Sequence, residues 1–406
     1  MPPAPLGRPS VIANSPTRVL FYSHDTYGLG HIRRTLAISG AVARGLNGAS
    51  ILVASGSPWL PSLRVPPSVD YIKLPCVTKT GAERYEAKTL RVDFDTVRSM
   101  RESIVLATAT AFAPDWVFVD NVPLGMKSEM VQTLRYLREH RPETRVILIL
   151  RDILDEPERI VRQWTAASMY EAIDRFYDRV LVFGAPELFD VVREYRLPAE
   201  VAGKLCYAGY IRSKAPSSAV RQLRRRLAPD SEPLVLVTVG GGGDGFPVVD
   251  AYLRGLAMRD HPLPIRTLVV LGPDMPEAAR QNLQARALGD ARITMVDFSP
   301  DLAVYVAAVD LVVSMGGYNT VCEVLSFGKP SIIVPRVEPR LEQWIRSQRL
   351  SQLGLATTIH PADLTPGRMM TEVERLLSVP RGPEKKMTLN FDGLRMVADF
   401  VRTQAS

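Results

Sequence analysis

The sequence predicts an α/β protein of two Rossmann-like domains, each a parallel sheet covered by helices on both faces. Three observations predict it. Short continuous apolar runs, such as RVLFYS at 18–23 and RVILIL at 145–150, alternate with segments of helical length. Such runs fit strands buried on both faces, because a half-exposed strand would alternate apolar and polar residues. The pattern breaks at the Gly-, Pro- and Ser-containing stretch 209–218, GYIRSKAPSS, and then begins again. Finally, 406 residues exceed one ordinary core and fit two domains of about 150–200 residues each.

The elements follow in order. Residues 1–17 are Pro-rich without an apolar signal core and read as a disordered leader. Residues 18–208 form the first domain, with strands expected at 18–23, 50–54, 69–74, 116–119, 145–150, 180–183 and 205–207. Helices are expected at 32–44, 94–112, 127–140 and 156–172, and the aperiodic polar stretch 78–89 reads as a mobile loop. Residues 209–218 are the linker. Residues 219–379 form the second domain, with strands at 234–239, 267–271, 293–296, 311–314 and 331–334. A C-terminal segment, 380–406, opens on a Pro-rich break and carries an amphipathic helix at 389–402.

Composition narrows the function classes. A hydrophobic fraction of 46% and a charged fraction of 23% are those of a globular protein. No run approaches the roughly 18 apolar residues of a membrane span. The net charge of +7 suits an anionic ligand or an anionic membrane surface, and equally a solvated basic face. No dense Lys/Arg run is interleaved with aromatics, so nucleic acid is not an expected partner. Cys76, Cys206 and Cys322 are far apart and odd in number, which implies a reducing, cytoplasmic setting rather than a disulfide framework. The five histidines do not cluster and no His/Cys pair has zinc spacing, so neither a metal nor another cofactor is expected.

Three Gly-rich turns, each after a strand, carry the chemistry. The first is TYGLGHIRR, 26–34, where glycines such as Gly30 leave helix N–H groups open to an anion. It is not a dinucleotide fingerprint. Arg33 stands at the third glycine, and ASGS at 54–57 offers no acid for a ribose. His31 in this turn sits at the carboxyl edge of the first strand, either as a loop brace or as a catalytic base. The second turn is Gly240–Gly245, GGGGDG, where Gly240, Gly241, Gly242 and Gly243 let the backbone approach a ligand closely. The third is SMGGYNTVCE, 314–323. Gly316 and Gly317 make the turn, and Asn319 or Thr320 can cap the following helix. Glu323 offers two acceptor oxygens, which match a ribose diol; a dipole-favoured acid at a helix start is the alternative.

Together these turns resemble glycosyltransferase family 28, and galactolipid synthases are related. The resemblance implies the GT-B fold, two Rossmann-like domains facing a central cleft. It implies a UDP-sugar donor held mainly by the second domain. By resemblance, His31 takes the acceptor-side histidine position and Arg212 of GYIR contacts the donor diphosphate. Phe298 of VDFSPDLA lies near the uracil, and Thr320 and Glu323 bind phosphate and ribose. Gln343, beside Glu342, contacts the donor sugar. Three positions depart from the family pattern: Gly242 replaces a frequent Ser, Met315 a common Arg, and Glu342 one of two consecutive glutamines.

The chemistry then follows from the parts. An acceptor hydroxyl must lose a proton as it attacks the anomeric carbon. His31 is the natural base, with Asp120 at the end of WVFVD as its carboxylate partner and Asp152 after RVILIL as the alternative. Backbone N–H groups and Arg212 would stabilise the departing diphosphate. Metal independence and inversion are implied by the resemblance. So are acceptors that are lipids or lipid-linked sugars, reached from the inner membrane face. An epimerase of the same fold and a non-catalytic nucleotide-sugar-binding protein are the rival readings.

Overall fold

The computed structural model describes residues 16–24, 30–81, 84–258, 264–299, 301–379 and 389–405. The Pro-rich break after residue 379, most of the leader, and positions 25–29 of the first Gly-rich turn lie outside them. Two parallel sheets dominate. The first comprises β1 (Arg18–Ser23), β2 (Ser50–Ser55), β3 (Val69–Lys73), β6 (Trp116–Asp120), β7 (Arg145–Arg151), β8 (Arg179–Phe183) and β9 (Leu205–Tyr207), in the order β3-β2-β1-β6-β7-β8-β9. The second comprises β10 (Leu234–Thr238), β11 (Arg266–Val270), β12 (Ile293–Val296), β13 (Leu311–Ser314), β14 (Ser331–Ile333) and β15 (Thr357–Thr358), in the order β12-β11-β10-β13-β14-β15. In each sheet the chain moves outward one way from the first strand, then crosses back to its other side. The crossing points, β1/β6 and β10/β13, are where ligands bind in such sheets, outside the carboxyl ends of the strands.

Continuous apolar runs became the central strands because both their faces are covered: all five residues of β6 and of β10 are buried. Three expectations need correction. The stretch 78–89 is not a loop throughout. It contains an antiparallel hairpin, β4 (Val77–Gly81) with β5 (Arg84–Ala87). Val77, Tyr85 and Ala87 pack with Val97 and Met126, and the Tyr85 ring stacks on Phe94 at 5.8 Å. The single helix expected at 156–172 is two, Pro157–Ala166 and Met169–Phe176, broken at Ser168 with φ 48°. The helix expected from Lys127 starts at Val131, because Lys127 itself has φ 45°.

A buried ion pair braces the first domain. Arg101 and Glu129 are both fully buried and share two hydrogen bonds of 2.7 and 2.6 Å. The Tyr22 hydroxyl donates to the same carboxylate at 2.5 Å and accepts from the Met126 amide.

The two domains are packed against each other. Tyr318, Val321, Cys322 and Leu350 of the second domain share one apolar core with Phe21 and Phe118 of the first. The last helix, Gly393–Ala405, returns to the first domain and lies on the helix Gly30–Gly45. Gly45 allows this approach: a Cβ there would stand 2.5 Å from the Ala398 carbonyl oxygen.

Candidate active site in the interdomain cleft

The helix Gly30–Gly45 starts above the carboxyl end of β1, and β6 ends beside it at Asp120. That places His31, the second residue of the helix, over the Asp120 carboxylate. His31 Nδ1 lies 2.6 Å from Asp120 Oδ2. Arg34, one turn along the same helix face, donates to Asp120 Oδ1. The His31 side chain retains 16% exposure and that of Asp120 only 2%. With Nδ1 turned to Asp120, Nε2 is the ring nitrogen left to address a substrate.

Electrostatics set the protonation states. Burial alone would raise the Asp120 pKa, but the Arg34 guanidinium and the His31 ring overcome it and hold the carboxyl below its usual range. Burial lowers the His31 pKa, against the pull of Asp120, and Arg151 and Arg34 add to the lowering. His31 is therefore neutral near pH 7, as a base must be. His24 meets His31 edge-on at 5.6 Å between ring centroids, and burial followed by His31 lowers its pKa to about 3. Asp152 is engaged elsewhere. It accepts from the Tyr210 hydroxyl and the Ile153 amide and lies 3.7 Å from Arg346, fully buried. It braces the domain contact, which corrects its reading as an alternative base partner.

In the second domain the helix Tyr318–Ser326 is capped by Gly317 with no side-chain hydrogen bond. Asn319 and Thr320 are not caps, as the sequence suggested, because both already lie inside the first turn. Asn319 instead reaches across the cleft and donates to the Gly30 carbonyl at 3.2 Å. Glu323 also faces the first domain. Its Oε1 lies 3.4 Å from Arg33 Nη2, and its buried Oε2 has no hydrogen-bond partner among the described residues. Burial outweighs Arg33 and raises its pKa to about 7.

The four glycines of the second turn divide by role. Gly242 has φ 92°, and a Cβ there would stand 2.2 Å from the Leu271 carbonyl oxygen. Its partner Gly272 has φ 90° and would meet the Gly240 carbonyl at 2.4 Å. Gly242 is thus required by packing of two strand-end turns, not by ligand approach. Gly240, with φ 64° and open space around it, and Gly243 are exposed. A Cβ on Gly241 would stand 3.0 Å from the Asp274 carboxylate. Gln343 accepts from the Arg336 amide and Glu342 from the Arg336 guanidinium, both at 2.9 Å. Arg336 also lies 3.7 Å from Asp244, so these residues tie the Gly-rich turn to the start of the helix Glu342–Gln352. Phe298 is 42% exposed.

Residues 235–399 match the Glycosyltransferase family 28 C-terminal domain. The match lies within the second half of the chain. Two curated relatives are UDP-N-acetylglucosamine–N-acetylmuramyl-(pentapeptide) pyrophosphoryl-undecaprenol N-acetylglucosamine transferases. The one from Sorangium cellulosum is 30% identical over 159 residues, 39% of each chain. The one from Haemophilus influenzae is 33% identical over 138 residues, 34% of this chain and 38% of its own. The chain thus matches about two fifths of the length of these relatives. Two solved structures align over nearly the whole chain. The calicheamicin glycosyltransferase has TM-score 0.57 and 14% identity, covering 96% of this chain and 95% of its own. MurG of Acinetobacter baumannii has TM-score 0.55 and 15% identity, with coverages of 96% and 95%. They show the shared GT-B fold.

The matched family 28 segment contributes Asn319 and Glu323 to the cleft, and the unmatched half contributes His31, Asp120 and Gly30. The structure does not bring Arg212 into this group as a neighbour of the dyad. It is exposed, with its guanidinium over the Phe391 ring at 5.5 Å. The cations that face the dyad are Arg34 and Arg151, which sequence reasoning missed. For Arg34 a signal was present: two consecutive arginines close to a helix start sit where the dipole disfavours positive charge.

Proposed function

We propose that the chain is a glycosyltransferase that moves a sugar from a UDP-sugar to an acceptor hydroxyl, with inversion and without a metal. The observation that carries this reading is the pairing of His31 with Asp120 opposite a buried Glu323 carboxylate that has an unpartnered oxygen. The ribose hydroxyls would donate to Glu323. His31 Nε2 would take the acceptor proton as the acceptor oxygen attacks the anomeric carbon from the face opposite the diphosphate. The bond from that carbon to the diphosphate oxygen breaks, its electron pair leaves with UDP, and the configuration inverts. Asp120 stabilises the imidazolium that forms. The exposed backbone at Gly240 and Gly243 and the start of the helix Tyr318–Ser326 would meet the charge on the departing diphosphate.

The acceptor we favour is a lipid or lipid-linked sugar at a membrane surface. The curated relatives are named for a pyrophosphoryl-undecaprenol acceptor. The first domain exposes Leu90 and Val92 on either side of Arg91 in the chain, an apolar and basic combination suited to an anionic bilayer. Among the described residues no helix is long and apolar enough to cross a membrane. The test is product analysis with a panel of UDP-sugars and lipid acceptors. A glycosylated acceptor supports the reading. An epimerised free sugar nucleotide as the only product would replace it with an epimerase.

A further inference from the structure

The cleft holds more buried positive charge than the dyad uses. Arg34 is 3% exposed and directs one guanidinium nitrogen to Asp120, while its Nε and Nη1 have no hydrogen-bond partner among the described residues. Arg151 ends β7, two strands from β1, and its buried Nε is likewise unpartnered. Neither carboxylate that faces Arg151 forms an ion pair with it among the described residues, although Glu342 keeps a buried Oε2 without a partner. Asp120 binds His31 and Arg34, and Glu342 accepts from Arg336. Burial and the neighbouring charges of Arg34 and Arg346 lower the Arg151 pKa to about 10, in spite of Glu342 and Asp120.

Arg34 and Arg346 gather at one helix start, and Arg151 is near enough to feel the charge of both. Arg34 and Arg346 lie over the Tyr318 ring at 5.8 and 5.6 Å. Arg346 also donates to the Gly316 carbonyl at 3.2 Å, which holds the turn in place. The nine-residue helix that follows has no side-chain cap, so its first N–H groups are left for a ligand. A planar guanidinium fork matches phosphoryl oxygens, and several positive charges at a helix start match a group with more than one negative charge.

We propose that Arg151 and Arg34 of the first domain form a phosphoryl-binding subsite facing the start of the helix Tyr318–Ser326. The first domain then grips a phosphate while the second holds the nucleoside, and occupancy of the subsite draws the two together. The anion is either the donor's diphosphate or a phosphate carried by the acceptor. The subsite deepens the transferase reading and rests on it only for the identity of that anion.

The test measures binding, not turnover, on the full chain by titration calorimetry, with UDP, uridine and inorganic pyrophosphate as probes. Arg151→Met removes the charge and Arg151→Lys keeps it without the fork. If the donor diphosphate is the ligand, Arg151→Met weakens UDP by about 10- to 100-fold and leaves uridine unchanged. If an acceptor phosphate is the ligand, pyrophosphate weakens by a similar factor and UDP does not. The Arg151→Met variant should still fold, because Arg151 makes no ion pair among the described residues. Should it fail to fold, Arg151→Lys carries the test, with an intermediate loss expected. Unchanged affinity for UDP and pyrophosphate in either folded variant overturns the subsite. A wild-type chain that binds pyrophosphate but neither UDP nor uridine sinks the nucleotide-sugar reading and leaves the subsite standing.

Discussion

Arg33 of the first domain holds its guanidinium 3.4 Å from the Glu323 carboxylate of the second, across the cleft. The carboxylate is 7% exposed and the guanidinium 31%, so the acid is the buried partner and the base the solvated one. Glu323 therefore keeps a pKa raised to about 7 even with a cation beside it.

The first prediction concerns this acid. Glu323→Ala should raise the donor dissociation constant about 10- to 100-fold, as charge-assisted hydrogen bonds to the ribose are lost. The wild type should bind UDP more tightly as pH rises through 7, because the ionised form is the better acceptor. Glu323→Gln should flatten that dependence. The same shift has a sign for stability. The folded state binds more protons at Glu323 than the unfolded state between the ordinary glutamate pKa of about 4.3 and 7, so this group's contribution falls as pH rises across that window. Titration of UDP at pH 6, 7 and 8 checks the first part, and equal affinities at all three in the wild type would count against it.

The second concerns the base. His31→Ala should keep donor affinity within a few-fold while turnover falls about 100-fold or more, since the group acts in the transition state. Asp120→Asn should show the same signature more mildly. Because Asp120 raises the His31 pKa and burial lowers it, Asp120→Asn should also move the acid limb of turnover to lower pH. A His31→Gln enzyme with near-normal turnover would show that His31 only braces the loop.

Third, Gly240 and Gly242 should part company on substitution. Both have positive φ, but only Gly242 would drive a Cβ into a carbonyl oxygen. Gly240→Ala should cost about 1–2 kcal/mol for the left-handed backbone alone. Gly242→Ala should cost about 2–5 kcal/mol, the same strain plus an overpacked contact. Chemical denaturation of the two variants separates them, and equal losses would contradict the geometry.

Fourth, Glu129→Ala should destabilise the chain by about 3–5 kcal/mol, because it leaves Arg101 buried and unpaired. Both side chains are fully buried, so neither is available to a ligand. UDP binding by whatever fraction remains folded should therefore be unchanged.

Much of this was legible in the sequence. RVLFYS and WVFVD read as buried strands of one parallel sheet, which puts both their carboxyl ends on one edge. His31 and Asp120 therefore had reason to meet on sequence grounds alone. The hairpin of β4 and β5 was not legible, because Val77 and Tyr85 find their apolar partners only in Val97 and Met126. Gly242 looked like a ligand-facing glycine because its packing partner, the Leu271 carbonyl, is distant in sequence. Asn319 looked like a cap because its true acceptor, the Gly30 carbonyl, lies in the other domain. Arg151 lies just past the expected strand RVILIL, and nothing local reveals that its neighbours are also arginines.

The helix Gly393–Ala405 is synthesised after the whole second domain, yet it covers the first. During translation the first sheet emerges early, with the Gly45 notch and the edge of Trp116 still open; Phe400 later meets that ring at 6.1 Å. The domain that carries His31 is thus finished last, only after the ribosome has passed residue 400. A nascent chain stalled within the second domain would expose an apolar groove on the first, a surface on which chaperones and proteases act.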